Sequence, residues 1–218
     1  MKTNTLKFIA ILTLSIVFTN CKNKAEEAET KAAKEVATAE ASAIDYTANT
    51  ETSVIEWTGF KPTGKHNGTI KLESGNFSVK DGRLESGTFK IDMSSIVALD
   101  IPADDEYNAK LVGHLKSDDF FDIEKYPTAT FEVTGIQEKE GKTWLSGNLK
   151  LKEKTNNVTF PASMTSNGDM FTITSEVFTI DRSKWDVKYG SKSFFDNLGD
   201  KFINDDIELK ISVSSKKS

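Results

Sequence analysis

The sequence is poor in the residues that usually carry chemistry. It has one cysteine, two histidines and four prolines in 218 residues. One cysteine excludes an intrachain disulfide framework. The histidines, His66 and His114, are far apart in the chain. No Ser-His-Asp arrangement can be read, and no glycine loop has the form that cradles phosphate. The acids beside His114, Asp118, Asp119 and Asp122, read as a solvated turn rather than as metal ligands. The net charge of −5 gives no basic footprint for nucleic acid. The longest apolar run, Phe8 to Phe18, is too short to span a bilayer. The expectation is therefore a non-enzyme with no catalytic residue, no metal and no cofactor.

The two ends of that apolar run are informative. Lys2 and Lys7 precede it and Cys21 closes it, the layout of an export signal. The tract Phe18-Thr19-Asn20-Cys21 resembles the lipobox of bacterial lipoproteins in its relaxed Bacteroidota-like form. That resemblance implies residues 1–20 as a lipoprotein signal peptide and Cys21 as the lipidated residue. Acyl chains contribute about 0.8 kcal/mol per buried CH2, enough to hold a protein on a membrane without a spanning helix. The implied location is the cell envelope, lipid-anchored, facing the periplasm or the cell surface. Residues 21–45 follow as an Ala/Glu/Lys-rich tether with helical propensity and almost nothing to bury. Fully helical, residues 22–45 would span ~36 Å.

Residues 46–218 read as one domain with a sizeable core. Apolar and polar residues alternate with period two, as in Ile207, Leu209, Ile211 and Val213, or Ala129, Phe131 and Val133. Less regular runs cover Val54 to Phe60, Gly68 to Leu72, Asn76 to Val79, Leu84 to Ile91, Asn157 to Phe160 and Met170 to Ile180. In the last, the apolar parity shifts between Ile173 and Phe178, which predicts a bulge. Turns such as Lys80-Asp81-Gly82 punctuate the runs. About eight antiparallel strands with one apolar face imply an all-β barrel or sandwich. Acids at its start, with Asp104 or Asp105 as cap, predict one short helix ending at Lys116, packed over one end with Leu111 and Leu115 on a shared face.

That helix runs into HLKSDDFFDIEKYPTATF, His114 to Phe131. The mixture of rings and acids suits a barrel-end closure. Phe120 and Phe121 turn inward, Asp118, Asp119 and Asp122 face water and cap turns, and Tyr126-Pro127 starts a strand where proline is tolerated. Small residues on the apolar parity, Gly59, Gly87, Ala129, Gly135 and Gly147, either permit sharp coiling or leave volume for a ligand. Trp57 lies on the apolar face and Trp144 on the polar one. Arg182 lies beside aromatics near a strand end, where a guanidinium either meets a polar head group or pairs with a neighbouring acid.

The stretch His114 to Asp122 followed by Tyr126-Pro127-Thr128-Ala129-Thr130-Phe131 resembles the signature of the YceI-like family. Val54 to Phe60 and Gly75-Asn76-Phe77 are similar to that family's first hairpin, and Phe178 to Arg182 followed by Trp185 resembles its late strand. Asp186 stands where the family usually has a glycine after the late aromatic. The resemblance spans Tyr46 to Val213 and implies an eight-stranded antiparallel lipocalin-like barrel with a short helix near one end. It further implies a long internal apolar channel for an isoprenoid or other long-chain amphiphilic lipid. The ligand-binding candidates are Trp57, Phe89, Phe120, Phe121, Phe131, Arg182 and Trp185. The expected function is a membrane-anchored binding or carrier protein for such a lipid, held through Cys21, and a homodimer is compatible with it. The alternative is a non-enzymatic envelope protein with a filled barrel that binds a protein partner.

Overall fold

A computed structural model describes residues 25–218. Cys21 and the signal segment 1–20 lie outside the described residues. In chain order the strands are β1 (Glu26–Glu27), β2 (Glu29–Ala32), β3 (Ile44–Ala48), β4 (Val54–Lys61), β5 (Gly64–Lys80) and β6 (Arg83–Ala98). Helix α1 (Glu106–Lys116) follows, then β7 (Thr128–Lys139), β8 (Lys142–Leu151), β9 (Lys154–Asn167), β10 (Met170–Ser175), β11 (Phe178–Asp181) and β12 (Asp206–Lys217). A single 3-10 turn, Arg182–Trp185, follows β11.

The alternating runs form antiparallel ladders that close on themselves. The ring is β4, β5, β6, β7, β8, β9, β10 and β12, with β12 pairing back to β4. Closure removes the free sheet edges that invite aggregation. Among the described residues the strands number twelve rather than the expected eight. Two positions in the ring are each filled by two segments. β3 and β4 both lie between β5 and β12. β10 and β11 both lie along β12, and the chain breaks at Glu176-Val177 between them. That break is the irregularity announced by the parity shift: Phe171, Ile173, Phe178 and Ile180 all remain buried because of it.

The other two extra strands come from the Ala/Glu/Lys-rich tract, and here the helical expectation fails. Past the break, β11 stays on β12 but leaves β9, so both facing edges lack a partner. Residues 26–32 supply one. β1 pairs in parallel with β11, and β2 pairs antiparallel with β9. The Ala28 N–H donates to Thr179 O at 2.8 Å, and the Ala28 methyl is buried. Helix propensity is worth a few tenths of a kcal/mol per residue, less than two sets of unpaired backbone groups cost. The segment then crosses the outside of the sheet. Lys34 exchanges backbone hydrogen bonds with the Asn148 amide, donating its N–H at 3.0 Å and accepting at 2.7 Å. Ala37 N–H donates to Val133 O at 2.9 Å. Glu40 N–H donates to Glu85, and its carboxylate pairs with Lys80. This strap explains why the outward polar residues Ser146, Asn148, Asn157 and Thr159 are buried.

The two barrel ends are built differently. At the end holding the β5–β6, β7–β8 and β9–β10 turns, Tyr46 stacks on Phe77 at 5.6 Å and 8°, and Phe171 touches both. Phe89 adds a further ring at 5.7 Å from Phe77. The opposite end is covered by α1, the 117–127 turn and the 186–205 loop. Asp105 caps α1 by accepting from Tyr107 N–H at 2.8 Å. Among the described residues no helix is long and apolar enough to cross a membrane.

Candidate functional site: an apolar cavity with one mouth

The inward face of the ring encloses a cavity of about 410 Å³. Its wall is aliphatic and aromatic, including Ile55, Ile70, Ile91, Leu145, Leu149 and Phe160. The stacked Phe160 and Phe178 rings, 4.2 Å apart, line it beside the strap. The exposed members of the lining, Lys61, Tyr189, Lys201 and Asn204, all lie at the helix end of the barrel. At the other end the ring cluster around Phe77 fills the section. The cavity is thus a blind pocket with its mouth under α1.

The small inward residues divide between the two roles the sequence left open. A Cβ at Gly147 would lie 2.2 Å from the Phe131 ring, and one at Gly87 would lie 2.7 Å from Phe77 Cβ. Those glycines make room for rings. Gly59 lines the cavity, and a Cβ there would meet nothing within 4 Å. That position leaves ligand-sized space.

Six of the seven candidate ligand residues meet on this wall: Trp57, Phe89, Phe120, Phe121, Phe131 and Arg182. The seventh does not. Trp185 is fully buried outside the cavity, and its indole N–H donates to Leu149 O at 2.9 Å. It closes the 3-10 turn and belongs to the packed core, tied to β8 by that hydrogen bond. The Phe120-Phe121 pair arrives as expected. Phe121 N–H donates to Leu115 O at 3.2 Å, and the rings meet edge to face at 4.9 Å. Asp118 and Asp119 are exposed. Asp122 shapes the turn through its backbone, with φ of 51° and its N–H donating to Ser117 O at 2.7 Å, rather than by side-chain capping.

Arg182 is occupied. It donates to Val187 O at 2.6 Å, Asn204 O at 3.1 Å and Ile203 O at 3.1 Å, with Asp205 at 3.4 Å. Its guanidinium also lies 5.2 Å from the Phe120 ring centroid. Burial pushes its pKa down from the ordinary guanidinium value, with Asp205 and Asp181 opposing. The side chain pins the 186–205 loop to the end of β11, so the ion-pair reading holds with three carbonyls added.

Two polar atoms on the wall stand apart. Trp57 Nε1 and His114 Nε2 are buried with no hydrogen-bond partner among the described residues. Both side chains line the cavity. An unsatisfied buried polar atom costs about 1–3 kcal/mol, which a ligand group would recover: an acceptor at the Trp57 indole N–H, and a donor or acceptor at His114 Nε2 according to its tautomer. His114 packs against Tyr189 at 4.4 Å and Phe120 at 6.0 Å, at the mouth. Sequence reasoning weighed His114 as a metal ligand and missed it as a cavity residue. Its spacing from Leu111 and Leu115 on one helix face was the available signal. Among the described residues no group of three His, Cys, Asp or Glu side chains is arranged to hold a metal ion.

The fold and its pocket define an antiparallel barrel of the lipocalin-like class. The chain belongs to the YceI-like family: the YceI-like domain matches residues 46–215. Among curated relatives, a UPF0312 protein of Azotobacter vinelandii is 30% identical over 102 residues, 46% of this chain and 50% of that protein. A UPF0312 protein of Shewanella denitrificans is 31% identical over 96 residues, 43% of this chain and 50% of that protein. The chain spans about half the length of the curated relatives it matches. Among solved structures, BcnA of Burkholderia cenocepacia aligns with a TM-score of 0.61 at 22% identity, covering 77% of this chain and 98% of that one. A polyisoprenoid binding domain from Saccharophagus degradans aligns at 0.56 and 12% identity, covering 80% and 99%. At such identities the likeness shows a shared fold.

Proposed function

We propose that the protein binds and carries an isoprenoid or other long-chain amphiphilic lipid, with the chain in the cavity and a hydrogen-bonding end near Trp57 or His114. The observation that carries this reading is the wall itself. A blind, almost wholly apolar pocket offers about 25 cal/mol per Å2 to a hydrocarbon chain and little to a substrate that is polar throughout. The two unsatisfied nitrogens supply an orientation for one polar terminus. The Saccharophagus degradans neighbour, a polyisoprenoid binding domain, supports the choice of ligand class. An apolar wall without a paired nucleophile and base also supports binding rather than catalysis. The filled-barrel alternative is disfavoured by the cavity volume.

Lipid anchoring at Cys21 in the cell envelope completes the proposal. Its tether is short. Residue 26 is already on the barrel, so five residue steps separate it from Cys21, an extended reach of at most ~18 Å. The ~36 Å helical spacer is therefore not needed.

The test is mass spectrometry of lipid co-purifying with protein extracted gently from its native host. A stoichiometric long-chain lipid is the expected result. An empty protein that also ignores quinones and polyprenols in titration would sink the idea. Cys21→Ser is expected to move the protein out of the membrane fraction; retention there would refute the anchor.

A further inference from the structure

The exposed aromatic residues are not scattered. Among the described residues the large aromatic side chains that stand exposed are Tyr107, Tyr189, Phe194 and Phe195. All four lie at the mouth end, Tyr107 on α1 and the others on the 186–205 loop, although the barrel surface is far larger than its mouth. Phe194 and Phe195 are adjacent, 42% and 49% exposed, and neither lines the cavity. Lysines accompany them: the Lys188 amine lies 4.9 Å from the Phe194 centroid, and Lys192 lies 3.5 Å from Phe202. Arg182 holds the two ends of this loop, and near the rings Phe194 and Phe195 N–H donate to Ser191 O at 3.3 and 3.0 Å while Ser193 Oγ donates to Asp205 at 2.7 Å, so the rings are presented rather than loose.

Rings with amphipathic or cationic neighbours are the side chains that settle at a bilayer interface. We infer that this face seats on a lipid bilayer, with Phe194 and Phe195 in the headgroup region and the cavity mouth against the membrane. The inference rests on the lipid-carrier reading. A chain leaving a water-facing mouth would expose its apolar surface at about 25 cal/mol per Å2, a barrier that a seated mouth removes. Because β1 runs parallel to β11 and toward the mouth, the chain before Glu26 heads away from it, so the seating rests on the rings and not on the anchor. A bilayer, rather than a protein partner, is favoured because the rings flank the opening of an apolar pocket and come from two separate elements around it.

The test uses the unlipidated chain from residue 22 onward, which keeps every described residue, so that no acyl group tethers it. Its sedimentation with phosphatidylethanolamine–phosphatidylglycerol vesicles is compared with that of a Phe194→Ser, Phe195→Ser double variant. Amide hydrogen exchange then maps the contact. The expected results are vesicle binding that weakens about tenfold or more in the variant, as loss of two buried rings requires, and protection confined to the 186–205 loop and the start of α1. Failure of the parent chain to bind vesicles would overturn the proposal. So would protection centred on the strap or the far turns, or equal binding by the variant. Mouth protection that appears only with soluble envelope proteins would also overturn it, in favour of a protein partner. Polyprenol loading from detergent micelles is measured in parallel. Retained loading by the variant beside lost vesicle binding supports the docking face. A parent chain that docks yet takes no polyprenol leaves the docking face standing and removes the carrier reading.

Discussion

The two ends of this barrel are made from similar residues put to opposite uses. At the closed end, Tyr46, Phe77 and Phe171 pack on one another and leave no room, and Phe89 joins that plug to the cavity wall. At the open end, Phe120, Phe121, His114 and Tyr189 also touch as rings, yet they edge a cavity. The difference is what backs them. The closed-end rings stand on paired strands and fill one another's gaps. The open-end rings come from a helix, a turn and a loop, and Arg182 holds the loop by its carbonyls. Aromatic content alone therefore does not separate a plug from a binding wall; the backbone supporting each ring does.

The largest effect should come from breaking the plug. Phe77→Ala removes a fully packed ring and is expected to cost about 3–5 kcal/mol in denaturant unfolding. Next in size is Arg182→Met, which leaves the carbonyls of Val187, Ile203 and Asn204 without their donor. A loss of about 2–4 kcal/mol is expected, with the 186–205 loop becoming the first site of limited proteolysis. If the closed end were instead the first to be cut, the asymmetry of support between the two ends would be wrong. Gly59→Leu should change stability by under about 1 kcal/mol, because its new atoms enter open space. It should weaken lipid loading about tenfold or more by filling that space, and equal loading by variant and parent would place the ligand elsewhere.

The smallest effect concerns pH at the mouth. Burial pushes the Asp100 carboxyl up, but hydrogen bonds from Asn67 N–H and His66 outweigh it, so its pKa lies below the usual carboxylate value. The His66 contact is 2.8 Å. A carboxylate with a depressed folded-state pKa contributes stability above its unfolded value and loses it as pH falls through the folded one. Asp100→Asn should therefore destabilise slightly at pH 6 and not at pH 2. Thermal melting at both values checks this; a deficit that persists unchanged at pH 2 would assign the effect to shape rather than charge.

Much of the barrel was legible from residue order. Period two marked the ladders, and the parity shift between Ile173 and Phe178 marked the break between β10 and β11. The acids before Tyr107 marked the start of α1, and Phe120-Phe121 read correctly as an inward pair. Other features were not legible, for definite reasons. Trp185 looked like a pocket aromatic because a 3-10 turn carries no periodicity to show which way a ring points. The strap was hidden because residues 26–32 have the composition of a solvated helix. Their strand state comes entirely from edges left open by a break 150 residues away in the chain. The outward polar residues Ser146, Asn148, Asn157 and Thr159 gave no trace of the strap, because a solvated sheet face carries the same residue types.

Sequence by itself thus determined which residues face inward, because side-chain alternation is a local property of an extended chain. It also determined where the helix begins and that the interior is apolar. The tertiary structure alone decided which inward residues touch. Gly147 became a slot for Phe131 and Gly59 became empty volume, although both are glycines on the same parity. Ring closure sets those distances, and no local pattern encodes them.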